Sequence, residues 1–211
     1  MKQGCFITFE GADGGGKTTQ VQLAAEALRR KGYDVLTSRE PGGTELAEKV
    51  RAIVLSSSLP LTNVTLTLLY LAARSEHVAK VLRPALDAGR IVLCDRFSDS
   101  TLAYQGLAIG KTLPELAELR RLNDYASQGL APDLTLLLDG RPEVLLERRS
   151  ERGITDRYEE QGLALQKKLR KGFLELAAAE PERFRVINAE GSRDEVSAQV
   201  LRAITDFLER F

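Results

Sequence analysis

Eight consecutive residues, Gly11-Ala12-Asp13-Gly14-Gly15-Gly16-Lys17-Thr18, fit the pattern G-x-x-x-x-G-K-[ST]. The chemistry of that pattern is capture of a polyphosphate. Glycine at the four loop positions lets backbone N–H groups turn inward without Cβ obstruction. A helix beginning at the end of the loop aims its positive pole at the same anion. Lys17 would then reach the β- and γ-phosphates, and the Thr18 hydroxyl would ligate Mg²⁺.

Four other stretches carry residue types that suit phosphate chemistry. Asp95-Arg96 follows the apolar run 91–94, the place where phosphate enzymes keep the carboxylate that holds Mg²⁺ or its waters. Asp139 after 136–138 competes for that role. Asp95 is favoured because Arg96 beside it supplies a partner for a second phosphate, whereas Gly140 and Pro142 make Asp139 resemble a turn into a helix. Arg39-Glu40-Pro41-Gly42-Gly43-Thr44 reads either as a connecting loop with a helix cap at Thr44 or as a rigid turn presenting Arg39 to a phosphate. Tyr70 and Arg74, four apart, share one helical face and could stack on and hydrogen-bond a base, or serve as ordinary structural and surface residues. Arg148, Arg149, Arg152 and Arg157, with Gly153 among them, form either a solvated basic face or a mobile flap that brings cations to a transferring phosphoryl group. His77 is the sole histidine, and nothing in the sequence makes it catalytic.

The elements that position these residues follow from periodicity. Strand signals recur at 5–9, 34–38, 91–94, 134–138 and 184–187. Helical patterns fall near 17–31, 45–55, 63–88, 98–108, 115–126, 143–150, 159–178 and 193–209. Such alternation predicts an α/β fold with a five-stranded parallel sheet and helices on both faces. Ligands then sit beyond the carboxyl ends of the strands, which is where the 11–18 loop, the 39–44 turn, Asp95-Arg96 and Asp139 all fall. The last strand runs into Asn188-Ala189-Glu190-Gly191, a candidate floor for a nucleotide base.

With 211 residues the chain is expected to form one domain, 1–211. Thirty basic and thirty acidic residues balance, which gives no electrostatic case for nucleic acid or a membrane as partner. Cys5 and Cys94 lie in apolar runs and read as reduced core residues, with a disulfide as the lesser alternative. No apolar run approaches a membrane span and no signal-peptide layout precedes residue 5, so the expected location is cytoplasmic.

Taken together the motifs closely resemble the thymidylate kinase (dTMP kinase) family from Phe6 to about Phe173. The resemblance rests on Phe9-Glu10-Gly11 running into the loop with Asp13 inside it, on the 39–44 turn, and on Tyr70 with Arg74. Most diagnostic is Asp95-Arg96-Phe97-Ser98-Asp99-Ser100-Thr101-Leu102-Ala103-Tyr104-Gln105-Gly106, which fits D-R-[aromatic]-x-x-S-x-x-A-Y-Q-G. It implies a three-layer P-loop nucleoside monophosphate kinase fold and the reaction ATP + dTMP → ADP + dTDP with Mg²⁺, held by Thr18 and Asp95. It implies ATP contacts from Gly11, Ala12, Asp13, Gly14, Gly15, Gly16, Lys17, Thr18 and Thr19, with Arg149 and Arg152. For dTMP it implies Tyr70 on thymine, Arg74 at the base edge, Arg39 and Arg96 on the acceptor phosphate, and Asp13 accepting from the 3′-OH. Pro41, Ser100, Tyr104 and Gln105 line the same pocket, with Tyr104 where a ribose 2′-OH would go. Lys17, Asp95, Arg96, Arg152 and Arg157 are the implied catalytic residues.

One branch of that family carries an arginine at the position of Gly14, and the other places its catalytic arginines in a lid. Gly14 with Arg152 and Arg157 resembles the second branch, with a lid at about 148–159. A homodimer is implied as well. Phe97, for the more usual tyrosine or histidine, and Tyr70, for an often-seen phenylalanine, are the departures. A kinase for another deoxynucleotide, a nucleoside or a small alcohol is the competing enzyme reading. A GTPase-like switch would call for an N-K-x-D motif, which is absent, and a dead nucleotide sensor would be expected to lack Lys17, Asp95 or the arginines.

Overall fold

A computed structural model describes residues 4–56, 58–150 and 162–211. Five strands form one sheet: β1 (Cys5–Glu10), β2 (Val35–Arg39), β3 (Ile91–Asp95), β4 (Leu134–Asp139) and β5 (Phe184–Asn188). Their order is β2-β3-β1-β4-β5, and every pairing is parallel. Helices cover both faces, as the alternating pattern predicts. Strand β1 lies at the centre with all six residues buried, so its sequence reads as a near-continuous apolar run.

Side-chain alternation along β1 divides the core. Cys5, Ile7 and Phe9 pack with Val21, Ala24 and Leu28 of α1 (Lys17–Arg30) and Val196, Val200 and Ile204 of α9 (Arg193–Leu208). Phe6 points the other way, against Phe97, Val78 and Leu82; the Phe6 and Phe97 rings meet edge to face at 4.9 Å. Glu10 ends that second row, so the alternation that buries Phe6 also turns a carboxylate inward at the tip of the strand.

On the second face lie α3 (Asn63–His77), α4 (Arg83–Asp87), α5 (Ser98–Gln105), α6 (Ala117–Ala126) and α8 (Gly162–Ala179). Helix α2 (Glu45–Leu55) packs on α3, and α7 (Pro142–Ser150) packs on α8. Thr44 caps α2, its Oγ1 accepting from Ala47 N at 3.2 Å, as the connecting-loop reading of 39–44 requires. The continuous helix expected over 63–88 is instead α3, a wider π turn at Val78–Leu82, and α4. Pro84 lacks the N–H that the Lys80 carbonyl needs, and the wider turn absorbs the missing bond. The helix expected over 98–108 stops at Gln105 and continues as a short 3₁₀ turn, Leu107–Ile109.

Cys5 and Cys94 are both buried and free, in keeping with reduced core residues rather than a disulfide. Burial, with Asp133 nearby, pushes the Cys5 thiol up to about 12. Residues 91–95 pair with β1 and β2 so that Phe9, Asp95 and Arg39 stand level. That register sets the tips of three strands side by side at one edge.

Candidate active site

The 11–18 loop leaves β1 and enters α1 with no side-chain cap on the helix. Gly11, Gly14 and Gly16 sit at φ 132°, 86° and 81°, which only glycine adopts at low cost. An uncapped helix start offers its first N–H groups to an anion. A Cβ at Gly14 would lie 2.1 Å from the Leu145 carbonyl oxygen of α7, so close packing as well as conformation keeps that position bare. Lys17 folds back over the loop, its Nζ donating to Gly11 O at 3.0 Å and Ala12 O at 2.8 Å. Burial, then repulsion from Arg96, lowers its pKa to about 8.

Thr18 Oγ1 donates a very short hydrogen bond to Asp95 Oδ2. Among the described residues no group of three or more His, Cys, Asp and Glu side chains could hold a metal alone. A hydroxyl and a carboxylate in contact nevertheless fit Mg²⁺, which takes few protein oxygens and fills its shell with phosphate and water. Asp139 is not available for that role, because α8 supplies Arg170 to both its oxygens at 2.8 and 2.9 Å.

Beyond the loop, a pocket opens between Gly14, Gly15, Gly16 and Thr19 on one side and Ala189, Gly191 and Val196 on the other. Its far wall is the turn expected as a base floor. Arg148 braces that turn, donating to the carbonyls of Ala189 and Glu190 at 2.6 Å each and of Gly191 at 3.2 Å. The side chain of Arg149 and the residues Arg152 and Arg157 lie outside the described residues.

On the opposite side of the loop, Arg96 occupies the left-handed region at φ 71°. The Glu10 carboxylate holds this turn: its Oε1 accepts from Phe97 N at 2.8 Å and Ser100 N at 3.2 Å, and its Oε2 from Ser100 Oγ at 2.6 Å. Burial, with Asp99 close by, pushes Glu10 up to about 7 despite Arg96 and these donors. Arg96 donates to Asp13 Oδ1 at 2.6 Å, Gly11 O at 3.0 Å, Ser100 Oγ at 3.0 Å and Tyr104 OH at 3.1 Å. Tyr104 OH in turn donates to Asp13 Oδ2 at 3.1 Å. The sequence alone does not assign Glu10 this role, although its place after five buried strand residues is a usable signal.

A second pocket gathers Asp13, Pro41, Tyr70, Arg74, Arg96, Ser100, Tyr104 and Gln105, all expected as acceptor contacts. Arg39 is not among its lining residues. Its Nη2 is paired with both Glu48 oxygens at 2.9 Å, and Glu48 also accepts from Gly43 N, so the fork is folded back along α2. Arg51, absent from the sequence reading, lines the pocket instead and donates to Pro41 O at 3.0 Å. Burial, then Arg39, lowers the pKa of Arg51.

A glycine loop closing the central strand of a 2-3-1-4-5 parallel sheet, with one pocket on each side, defines the class as a P-loop nucleotide kinase. The sequence model of the thymidylate kinase family matches residues 9–200. The chain belongs to that family, whose members are ATP-dependent phosphotransferases acting on dTMP. It is 45% identical to a thymidylate kinase of Deinococcus radiodurans over 206 residues, covering 98% of each chain. It is 49% identical to one of Synechococcus sp. over 195 residues, covering 92% of each. The crystal structure of thymidylate kinase from Ehrlichia chaffeensis superposes with a TM-score of 0.76 at 33% identity, covering 96% of this chain and 99% of that one.

The lowered pKa of Lys17 sets a pH dependence. The protonated amine attracts phosphate, and in the free protein it is lost as pH rises through about 8. If Lys17 meets the phosphates of ATP, binding is expected to take up protons as pH rises through that value, with the dissociation constant rising toward about tenfold per pH unit beyond it. Calorimetry in buffers of different ionisation heat measures that uptake; Lys17→Met is expected to abolish it.

Proposed function

We propose that this chain transfers the γ-phosphoryl group of ATP to dTMP, giving ADP and dTDP, as one domain spanning 1–211 with a lid at about 148–159. The observation that carries the reading is the division of labour across the 11–18 loop. Asp13 belongs to the acceptor pocket, and Gly14, Gly15 and Gly16 belong to the donor pocket. A phosphoryl group passing between them travels over Lys17.

In this reading the loop and Thr19 hold the ATP phosphates, and Arg148 supports the adenine floor. Thr18 and Asp95 hold Mg²⁺, which draws charge off the phosphates when bound. Lys17 follows the migrating group, and Arg96 with Arg51 fixes the acceptor phosphate. Tyr70 and Arg74 take thymine, Asp13 accepts from the 3′-OH, and Tyr104 fills the place of a 2′-OH beside Ser100, Gln105 and Pro41. Arg39 would serve only after leaving Glu48. Gly14 cannot supply a cation, since a side chain there would run into α7. That supports the branch whose catalytic arginines, Arg152 and Arg157, lie in the lid with Arg149 nearby.

A homodimer is supported by large apolar side chains that are exposed among the described residues: Val64 and Leu68 on α3, and Leu122 and Tyr125 on α6, which packs against α3. No helix among the described residues is long and apolar enough to cross a membrane, and a cytoplasmic setting suits the substrates.

A nucleotide panel tests the reaction. ADP release is expected with dTMP, with dUMP lower in kcat/KM by about 10- to 200-fold, the range one methyl commands in an apolar pocket. Equal values for the two would contradict the pocket assignment, and turnover of thymidine in place of dTMP would contradict the reaction. The lid is tested by single-turnover transfer at saturating ATP and dTMP. Arg152→Ala is expected to lower the rate at least 100-fold while moving the dTMP dissociation constant less than about threefold. Near-parental rates in both Arg152→Ala and Arg157→Ala would remove the lid from the chemistry.

A further inference from the structure

Behind Arg74 lies a chain of buried polar groups. The Arg74 guanidinium has five N–H donors. Nε donates to Glu40 Oε2 at 2.8 Å, and Nη1 donates to Thr101 Oγ1 and Asn123 Oδ1. Its Cζ lies over the Phe97 ring, 5.0 Å from the ring centre. Three donors are thus taken up by protein, and among the described residues Nη2 is left to the pocket that Arg74 lines.

Glu40 is itself held from behind. Its second oxygen, Oε1, accepts from His77 Nδ1 at 3.1 Å, and His77 Nε2 bonds Ser38 Oγ at 2.6 Å. His77 is fully buried, and Glu40 and Arg74 nearly so. The imidazole also packs into the 42–43 turn, where a Cβ on Gly43 would lie 2.5 Å from its Cδ2 and Nε2. One ring therefore ties the end of β2, the turn carrying Pro41, and the helix carrying Arg74.

We propose that His77 is a positioning residue for base recognition, acting through Glu40 to fix Arg74 so that one amino group of the guanidinium alone meets the base. Two fixed N–H donors accept a pyrimidine with a 4-keto oxygen and reject one with a 4-amino group, which would bring donor against donor. A site built around such a fixed donor discriminates strongly, because the wrong base leaves buried polar groups unpaired. A guanidinium free to swing would find other partners, and the discrimination would fade. The inference rests on dTMP being the acceptor in this pocket with Arg74 at its base, and it adds the buried chain from Ser38 through His77 and Glu40 that holds Arg74 there.

The test compares kcat/KM for dTMP and dCMP, together with KM for ATP, in the parent, His77→Leu, His77→Asn and Ser38→Ala. His77→Leu is expected to raise the dTMP KM at least tenfold and to narrow the dTMP:dCMP ratio at least tenfold. Its kcat at saturating dTMP and its ATP KM should stay within about threefold of the parent. His77→Asn, which keeps a donor for Glu40, should recover most of both losses. A folded His77→Leu with an unchanged ratio would overturn the inference. So would a fall in kcat and ATP affinity that parallels the fall in dTMP affinity. If His77→Leu does not fold, Ser38→Ala carries the test: the dTMP KM should rise and the ratio narrow by threefold or more, and no change in either overturns the inference. Failure of the parent to use dTMP would instead defeat the substrate reading, whatever the variants do.

Discussion

Everything at the catalytic edge depends on one constrained turn, Asp95-Arg96-Phe97. Arg96 holds a left-handed backbone that a residue with a Cβ adopts at a cost of roughly 1–3 kcal/mol. Two hydrogen bonds fix the turn: Arg96 N donates to Phe9 O at 3.0 Å, and Phe97 N donates to Glu10 Oε1 at 2.8 Å. The consequence is geometric. Asp95 and Arg96 are neighbours in the chain, yet Asp95 reaches Thr18 at the start of α1 while Arg96 reaches Asp13 and Tyr104 beside the pocket that Tyr70 and Arg74 line. The left-handed residue ends β3 at once and starts α5 directly behind the loop.

The same turn has to be anchored to the sheet, because α5 is only two turns long. Asp99, almost wholly buried, pairs with Arg183 through two bonds of 2.8 Å, and Arg183 also donates to Thr135 Oγ1 at 2.6 Å. Thr135 faces Thr8 across β1 and β4 at 2.9 Å. A buried ion pair of this kind contributes little net stability against an apolar alternative, since desolvation offsets most of the attraction. Its use here is directional. It fixes which way α5 points, and with it Ser100, Tyr104 and Gln105. Burial first, and Asp99 second, raises the pKa of Glu10, the cost of setting a carboxylate inside the protein beside another under one helix start.

Much of this was legible in the sequence, and the gaps have physical causes. The glycine loop could be read because its residues answer to backbone geometry, which is local. The Asp95–Gly106 stretch could be read because one strand, one turn and one short helix carry its side chains into one pocket. Arg39 and Arg51 could not be sorted by spacing. Which of the two enters the pocket depends on Glu48, which captures the Arg39 fork from one turn inside α2. Arg148 stood in a basic run, but its three carbonyl partners lie more than forty residues away. His77 carried no signal at all, because its partners come from β2 and the following turn. The break in the 63–88 helix was foreshadowed by Pro84, though the wider turn that absorbs it leaves the apolar pattern almost unchanged.

Arg96, set by its turn, is proposed to serve the acceptor phosphate and not the donor. Titration calorimetry of Arg96→Lys with dTMP and, separately, with ATP tests it most directly. Lysine keeps the charge and the backbone constraint and removes the fork, with its bonds to Gly11, Ser100, Asp13 and Tyr104. dTMP binding is expected to weaken by about 10- to 100-fold, the worth of one or two charge-assisted hydrogen bonds, with ATP binding within about threefold of the parent. Unchanged dTMP affinity, or an equal loss for both nucleotides, would contradict the account.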